Sequence, residues 1–247
     1  MKVTKDMIHP KLRMMARIGR FVGYSGCVVA APEYRTSLDA PYPAALEDCY
    51  AALLWLKEHG SEYGMRDNQV MVGGDSAGGG LTAAITLYAR DKGEVAIAFQ
   101  MPLYPMIDDR MNTESATDND APLWDSRAND VAWRLYLGEL FGKDTVPAYA
   151  APARNTDFNG LPPALSFVGS VEPFRDEAIE YMKRLEAQGI PVGFKVFEGA
   201  FHAFDILAPG SSVGKEATAF LMEGFDYAAK HCFAEQPSNP ERNSQSC

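Results

Sequence analysis

Short apolar runs alternate with stretches of helical periodicity along most of this chain. An apolar run of four to eight residues is typical of a buried strand, and apolar residues three and four apart are typical of an amphipathic helix. Strands that alternate with helices in this way predict a parallel sheet with crossover helices. The predicted strands are 27–31, 69–73, 96–103, 165–168 and 192–197.

The helical segments follow the strands in regular order. Pro10 is placed to open a first helix, and strong periodicity then predicts helices over 43–59, 77–90, 173–188 and 213–231. Residues 107–128 are polar and acidic without a period, and Val131, Leu135 and Phe141 then indicate a further helix in an inserted region. We therefore expect one domain over 1–234 with a cap-like insert at 107–155, and a disordered tail at 235–247. The apolar face of the predicted first helix comprises Leu12, Met15, Ile18 and Val22.

Composition and charge narrow the range of functions. The 247 residues are 47% hydrophobic and 23% charged, as in an ordinary globular domain. The net charge of −10 argues against a nucleic-acid partner. No run reaches the roughly 18 apolar residues of a membrane span, and the basic first twenty residues do not resemble a secretory leader. The four cysteines are too dispersed for a metal or redox motif, so we expect a cytoplasmic protein.

The sharpest chemical motif is Gly-Asp-Ser-Ala-Gly at 74–78, between a predicted strand and a predicted helix. A serine on such a turn is presented to a neighbouring base, and flanking glycines let the backbone turn without side-chain clashes. Ser76 is therefore the candidate nucleophile. The N–H of Ala77, at the helix start, is a candidate oxyanion donor. The alternative is a glycine-rich helix start without chemistry.

A nucleophilic serine needs a base and an acid. His202 lies in a loop after the last predicted strand, where active sites of parallel α/β proteins assemble, and is the candidate base. His59 and His231 end helices, where a role at the helix dipole is the simpler interpretation. Glu172 follows the fourth predicted strand and is the candidate acid, with Asp176 and Asp205 as rivals.

A hydrophobic pocket should receive the substrate. The candidates lie in the insert and in the loops that follow the strands, and each of them fits a plain core position equally well. They are Leu103, Tyr104, Met106, Trp124, Phe201 and Phe204.

The chain resembles the hormone-sensitive-lipase-like branch of the α/β-hydrolases, the bacterial esterase and lipase family, over about residues 15–232. Four ordered motifs carry the resemblance: Glu33–Arg35 with Tyr42–Asp48, Gly74–Gly79, Glu172–Glu177 and Gly199–Phe204. The resemblance implies a mostly parallel α/β-hydrolase sheet with helices on both faces. It also implies hydrolysis of short-acyl carboxylic esters, without metal or organic cofactor, through Ser76, Glu172 and His202. The branch usually has Asp where Glu172 stands and Gly where Ala203 stands.

One departure from the family concerns the oxyanion hole. Members carry a His-Gly-Gly-Gly stretch upstream at the end of their third strand, and this chain has only His59-Gly60 followed by Ser61. The resemblance then implies that this chain lacks strands 1–3 of the family. In the sheet, the third of these strands would lie between the strands at 27–32 and 69–74. We expect a serine esterase acting on a small-molecule ester. The alternatives are an impaired remnant or ligand-binding protein on the same scaffold, and an amidase or peptidase. An incomplete sheet would also favour a homo-oligomer.

Overall fold

A parallel sheet forms the centre of the protein, seen here in a computed structural model that describes residues 21, 23 and 26–237. In this part of the chain the sheet has four strands in the order β1-β2-β3-β4, and every neighbouring pair is parallel. Every residue of β2 and β3 is buried, as expected for central strands covered on both faces, whereas the two outer strands are partly exposed. The strands are β1 Met71–Asp75, β2 Phe99–Leu103, β3 Ala164–Gly169 and β4 Val192–Phe197.

Helices follow the strands as the periodicity predicts. The segments predicted at 43–59, 77–90, 173–188 and 213–231 are helical with ends shifted by a few residues, and none of the described helices is long and apolar enough to span a bilayer. The predicted first helix from Pro10 lies largely outside the described residues. The helices are α1 Ala44–His59, α2 Ala77–Lys92, α3 Ser126–Leu137, α4 Arg175–Ala187, α5 Phe204–Leu207 and α6 Ser212–His231.

Hydrophobic cores lie on both faces of the sheet. Leu165 of β3 packs in one core with Leu221 and Phe225 of α6. The neighbouring Ala164, whose side chain points to the other face because strand residues alternate, packs with Leu87 of α2 and Leu185 of α4. The sheet is therefore covered by α6 on one face and by α2 and α4 on the other, as the predicted fold class requires.

The predicted strand at 27–31 is wrong. Residues 26–36 contain neither helix nor strand, and Val28 and Val29 are 42% and 37% exposed. A strand requires a neighbour to pair its backbone groups, and none of the described strands pairs with this segment. It is instead fastened to α1, because the Arg35 guanidinium donates to both oxygens of Asp48 at 2.9 and 2.7 Å.

The insert packs closely against the rest of the domain. The predicted helix near Val131 is present as α3, but Val131 and Leu135 are 54% and 43% exposed, whereas Trp133 and Leu137 are buried. A bidentate pair between Arg154 and the buried Asp109 joins the two ends of the insert at 2.6 and 2.9 Å. This bidentate pair fixes the distance between the two ends of the segment predicted as an insert.

The last described residues lie beside the segment that precedes β2. Gln236 donates its side-chain amide to the Ala96 carbonyl at 2.7 Å and accepts from the Ala96 N–H at 3.1 Å. The rest of the predicted tail, 238–247, lies outside the described residues.

Candidate active site

Ser76 occupies a sharp turn between β1 and α2. Its φ of 57° and ψ of −117° are rare for a residue with a side chain. The Ser76 N–H donates to the Leu103 carbonyl at 3.0 Å, and the Ser76 carbonyl accepts from Gly80 at 2.9 Å and from Met106 at 3.1 Å. The loop after β2 thus holds the serine backbone by both its polar groups in the strained conformation.

Glycines on both sides of the serine make this turn sterically possible. A Cβ on Gly74 would lie 2.4 Å from the Gly78 carbonyl oxygen, and one on Gly80 would lie 2.2 Å from the Met106 carbonyl oxygen. At Gly78 an added Cβ would meet nothing within 4 Å. The steric explanation for the flanking glycines therefore holds for Gly74 but not for Gly78. On the helix side the glycines without room for a Cβ are Gly79 and Gly80, since a Cβ on Gly79 would lie 2.7 Å from the Leu103 carbonyl oxygen.

The His202 imidazole faces the serine hydroxyl. His202 follows β4, is 4% exposed, and places Nε2 at 2.8 Å from Ser76 Oγ. Aromatic rings surround it: the centroids of Tyr104, Phe174 and Trp124 lie 5.0, 5.2 and 6.1 Å from the imidazole centroid. These rings fix the orientation of the imidazole and keep water from its faces.

Glu172 lies behind the imidazole. It is completely buried, and its Oε2 is in hydrogen-bond contact with His202 Nδ1 while its Oε1 accepts from the Gly169 N–H at 2.9 Å. If Nδ1–H donates to the carboxylate, Nε2 is left to accept the serine proton. Of the rivals, Asp176 accepts from the Ser115 N–H at 2.8 Å, and Asp205 is buried on the short helix α5. Glu172 is the carboxylate in hydrogen-bond contact with Nδ1.

Ala77 is exposed at the amino end of α2. As the first helical residue, it has no carbonyl four residues earlier in the helix to which its N–H can donate. The Ala77 N–H therefore stays the candidate oxyanion donor that the sequence predicts.

Comparison with known proteins places this fold and site in a family. The family described as the alpha/beta hydrolase fold matches residues 11–206. The chain belongs to the alpha/beta hydrolase fold family. Within this family it belongs to the hormone-sensitive-lipase-like branch of bacterial esterases, as the four sequence motifs indicate.

Similar alpha/beta hydrolases carry esterase names. Esterase LipI of Mycobacterium tuberculosis is 37% identical over 192 residues, which are 77% of this chain and 60% of LipI. A bacterial heroin esterase superposes with a TM-score of 0.73 at 41% identity, covering 76% of this chain and 60% of that one. An esterase of Pyrobaculum calidifontis gives a TM-score of 0.78 at 29% identity, covering 85% and 69%. The chain therefore spans about 60% of the length of the curated relative LipI.

The predicted pocket residues separate into two groups in this alpha/beta hydrolase. Tyr104 and Trp124 lie against the His202 ring, but Tyr104 is also completely buried within a hydrophobic core, and Phe201 is partly buried beside that core. The other three candidates lie within hydrophobic cores, so the alternative interpretation as core residues fits them. These are Leu103, Met106 and Phe204.

The sequence reasoning missed two residues near the site. Phe174 is completely buried against the His202 ring, and Glu177 is 2% exposed beneath the loop after β2. The sequence contained a signal for Glu177. It shares the helical face of Ala178, Tyr181 and Leu185, all of them buried, so the periodicity places a carboxylate on the inward face.

Proposed function

We propose that the chain hydrolyses carboxylic esters of small molecules through a covalent acyl-enzyme at Ser76. The observation that carries the proposal is the 2.8 Å separation between His202 Nε2 and Ser76 Oγ, with Glu172 against the opposite nitrogen. A base within hydrogen-bond reach of a hydroxyl, itself oriented by a third group, is the arrangement that activates a serine nucleophile. The esterase names of the relatives support the choice of ester as substrate.

Acylation begins when Ser76 Oγ attacks the ester carbonyl carbon. His202 Nε2 accepts the hydroxyl proton as the C–O bond forms, and the carbonyl oxygen becomes an oxyanion near the Ala77 N–H. The tetrahedral intermediate collapses as the alcohol leaves with the proton from Nε2. Glu172 stabilises the transient imidazolium and keeps Nδ1 protonated, so that Nε2 always faces the serine.

Deacylation repeats these steps with water. Nε2 accepts a proton from the attacking water, the acyl carbon again becomes tetrahedral, and Ser76 Oγ departs with the proton from Nε2. The carboxylic acid is released and the hydroxyl is restored. Removal of one oxyanion donor typically reduces the rate by about 100- to 1000-fold, which is the contribution we assign to Ala77.

Substitution of the nucleophile tests the proposal. Ser76→Ala should lower kcat on a short p-nitrophenyl ester by at least about 1000-fold, while Ser61→Ala, which changes an exposed serine, should leave kcat unchanged. A fluorophosphonate probe should label the wild type and not the Ser76→Ala variant. Equal hydrolysis by Ser76→Ala and the wild type would overturn the assignment, and a wild type that resists the probe would indicate a ligand-binding protein on the same scaffold.

A matched pair of substrates tests the choice of ester. The p-nitrophenyl ester and the p-nitroanilide of the same short acid share the acyl group and differ in the leaving group. We expect a far larger kcat/KM for the ester. A larger kcat/KM for the anilide would identify an amidase that uses the same residues.

A further inference from the structure

Glu177 is a carboxylate in an unusual place. It lies on the first turn of α4, where acidic side chains commonly face solvent near the helix dipole, yet it is only 2% exposed. A buried carboxylate is costly unless its oxygens are bonded. The hydrogen bonds that Glu177 makes therefore indicate what it does.

One carboxylate oxygen of Glu177 binds the loop after β2. Its Oε1 accepts from two consecutive backbone amides, Ile107 N–H at 2.8 Å and Asp108 N–H at 3.2 Å. The preceding amide, Met106 N–H, donates to the Ser76 carbonyl at 3.1 Å. Three successive N–H groups thus join the candidate nucleophile to Glu177 through one short piece of backbone.

The same loop also contacts the candidate base. Tyr104 has a φ of 32° and packs its ring 5.0 Å from the His202 ring, and the Leu103 carbonyl accepts from the Ser76 N–H. The loop conformation therefore sets the backbone of the serine and one wall around the imidazole. A loop held in a strained conformation needs bonds from its surroundings to persist there.

Glu177 also lines a small cavity whose wall consists mainly of polar residues. Tyr181 lines the same cavity of about 40 Å³, with Arg110 and Arg184 also at its wall. Neither Glu177 Oε2 nor the Tyr181 hydroxyl bonds to any residue in the described part of the chain. Burial raises the pKa of Glu177 well above its usual range, although the Ile107 N–H opposes the rise. A neutral amide of the same shape should therefore replace this carboxyl.

We propose that Glu177 is a positioning residue that holds the loop of residues 103–108 against Ser76 and His202. The inference rests on the proposed esterase function, since it assigns Glu177 a role in setting the reactivity of the same serine. It acts through the two amides bound by Oε1 and touches neither substrate nor the reacting atoms.

Three variants of the full chain test the role. Glu177→Gln keeps an acceptor for both amides, and Glu177→Leu keeps the volume but leaves both amides without a partner in the interior. Glu180→Leu removes an exposed carboxylate three residues further along α4 and serves as the matched control. The readout is the rate constant of covalent labelling of Ser76 by a fluorophosphonate, measured per folded molecule.

We expect Glu177→Leu to lower this rate constant by about tenfold or more, with Glu177→Gln and Glu180→Leu within about threefold of the wild type. A merely structural role would lower the folded fraction and leave the rate constant per folded molecule unchanged, and that outcome would overturn the proposal. Equal losses in Glu177→Gln and Glu177→Leu would overturn it too.

Hydrogen exchange supplies a readout that does not depend on activity. In Glu177→Leu the peptide covering 103–108 should exchange faster than in the wild type or Glu177→Gln, because Ile107 and Asp108 lose their acceptor. If the wild type resists the fluorophosphonate, the proposed function fails, and exchange still decides whether Glu177 anchors the loop. Unchanged exchange in Glu177→Leu would contradict the anchor.

Discussion

The two sides of the candidate site are built very differently. On the acid–base side, β3 and β4 pair in register over Ala164–Gly169 and Val192–Phe197, and the side chains that follow them, Glu172 and His202, are 0% and 4% exposed. On the β1 side, residues 26–36 form no strand, Gly73 in the middle of β1 is exposed, and so is Ala77. One half of the site is enclosed by packing, and the other half is open.

Under the proposed function, this difference separates two requirements of ester hydrolysis. Proton transfer between Ser76 and His202 depends on the enclosed side, where the carboxylate and the aromatic rings fix the imidazole. Stabilisation of the oxyanion depends on the open side, where Ala77 is the donor assigned from the described residues. The proposed mechanism therefore assigns activation of the nucleophile to one side and binding of the oxyanion to the other, so variants on the two sides should affect different quantities.

The largest effect is expected at Glu172, on the enclosed side. Glu172→Gln places an amide against His202 Nδ1, where its N–H favours the wrong tautomer, and should lower kcat by about 100- to 10,000-fold with little change in KM. Steady-state kinetics on a p-nitrophenyl ester measures this.

Glu172→Asp is the matched comparison. It keeps the charge and shortens the side chain by one methylene, so it should fall between Glu172→Gln and the wild type. Wild-type kcat in Glu172→Gln would show that the carboxylate is not needed to orient the imidazole, and the enclosed side would lose its assigned role.

The next largest effect is expected on the stability of the two sides. Leu221 of α6 is buried in the core that covers β3, so Leu221→Ala should lower the free energy of unfolding by about 2 to 5 kcal/mol. Val28→Ala removes exposed apolar surface on the open side and should change the free energy by less than about 0.5 kcal/mol. Urea denaturation of both variants measures the contrast. A larger loss in Val28→Ala would mean that the segment at 26–36 is packed more firmly than its exposure indicates.

The same contrast explains how much of the fold the sequence predicts. Strands β1 to β4 and the helices between them follow from apolar runs and periodicity, and each of these strands has a parallel neighbour to pair with. The run at 27–31 has the same composition as a buried strand and is not one. An apolar run indicates that a segment tends to be buried. It does not indicate whether a neighbouring strand is present to pair with that segment, and a sheet requires both.

Some residues of the candidate site can likewise be predicted from the sequence, and others cannot. Ser76, Glu172 and His202 are identifiable because each follows a strand and carries a recognisable chemical group. Glu177 and Phe174 are visible only once the loop after β2 and the imidazole are placed, since their roles come from contacts with residues distant in the sequence. Leu103 and Phe204 show the converse, because an apolar residue beside a motif has no local feature that distinguishes pocket from core.

A smaller effect is expected beside the base. Ala203 has a φ of 57°, in the left-handed region that disfavours a Cβ, where the branch usually has glycine. Ala203→Gly should relieve this strain and raise the free energy of unfolding by about 0.5 to 1 kcal/mol, with kcat unchanged. Urea denaturation measures the gain. A loss of stability instead would indicate that contacts of the Ala203 methyl group outweigh the backbone strain on the enclosed side.

The smallest effect is expected where the open side is fastened to α1. The hydrogen bond from the Arg35 guanidinium, together with that from the Arg35 N–H, lowers the pKa of Asp48 from 3.8 to about 2. Because the folded-state pKa lies below the unfolded one, the stabilisation is present above about pH 4 and is lost as the pH falls toward about 2. Asp48→Asn should therefore unfold at slightly lower urea concentration than the wild type at neutral pH, and the difference should shrink as the pH falls through this window. Since both side chains are partly exposed, added salt should reduce the difference as well. A difference that persists at low pH and high salt would show that Asp48 holds the segment at 26–36 by shape and neutral hydrogen bonds, and the open side would then be more rigidly built than its lack of strand pairing implies.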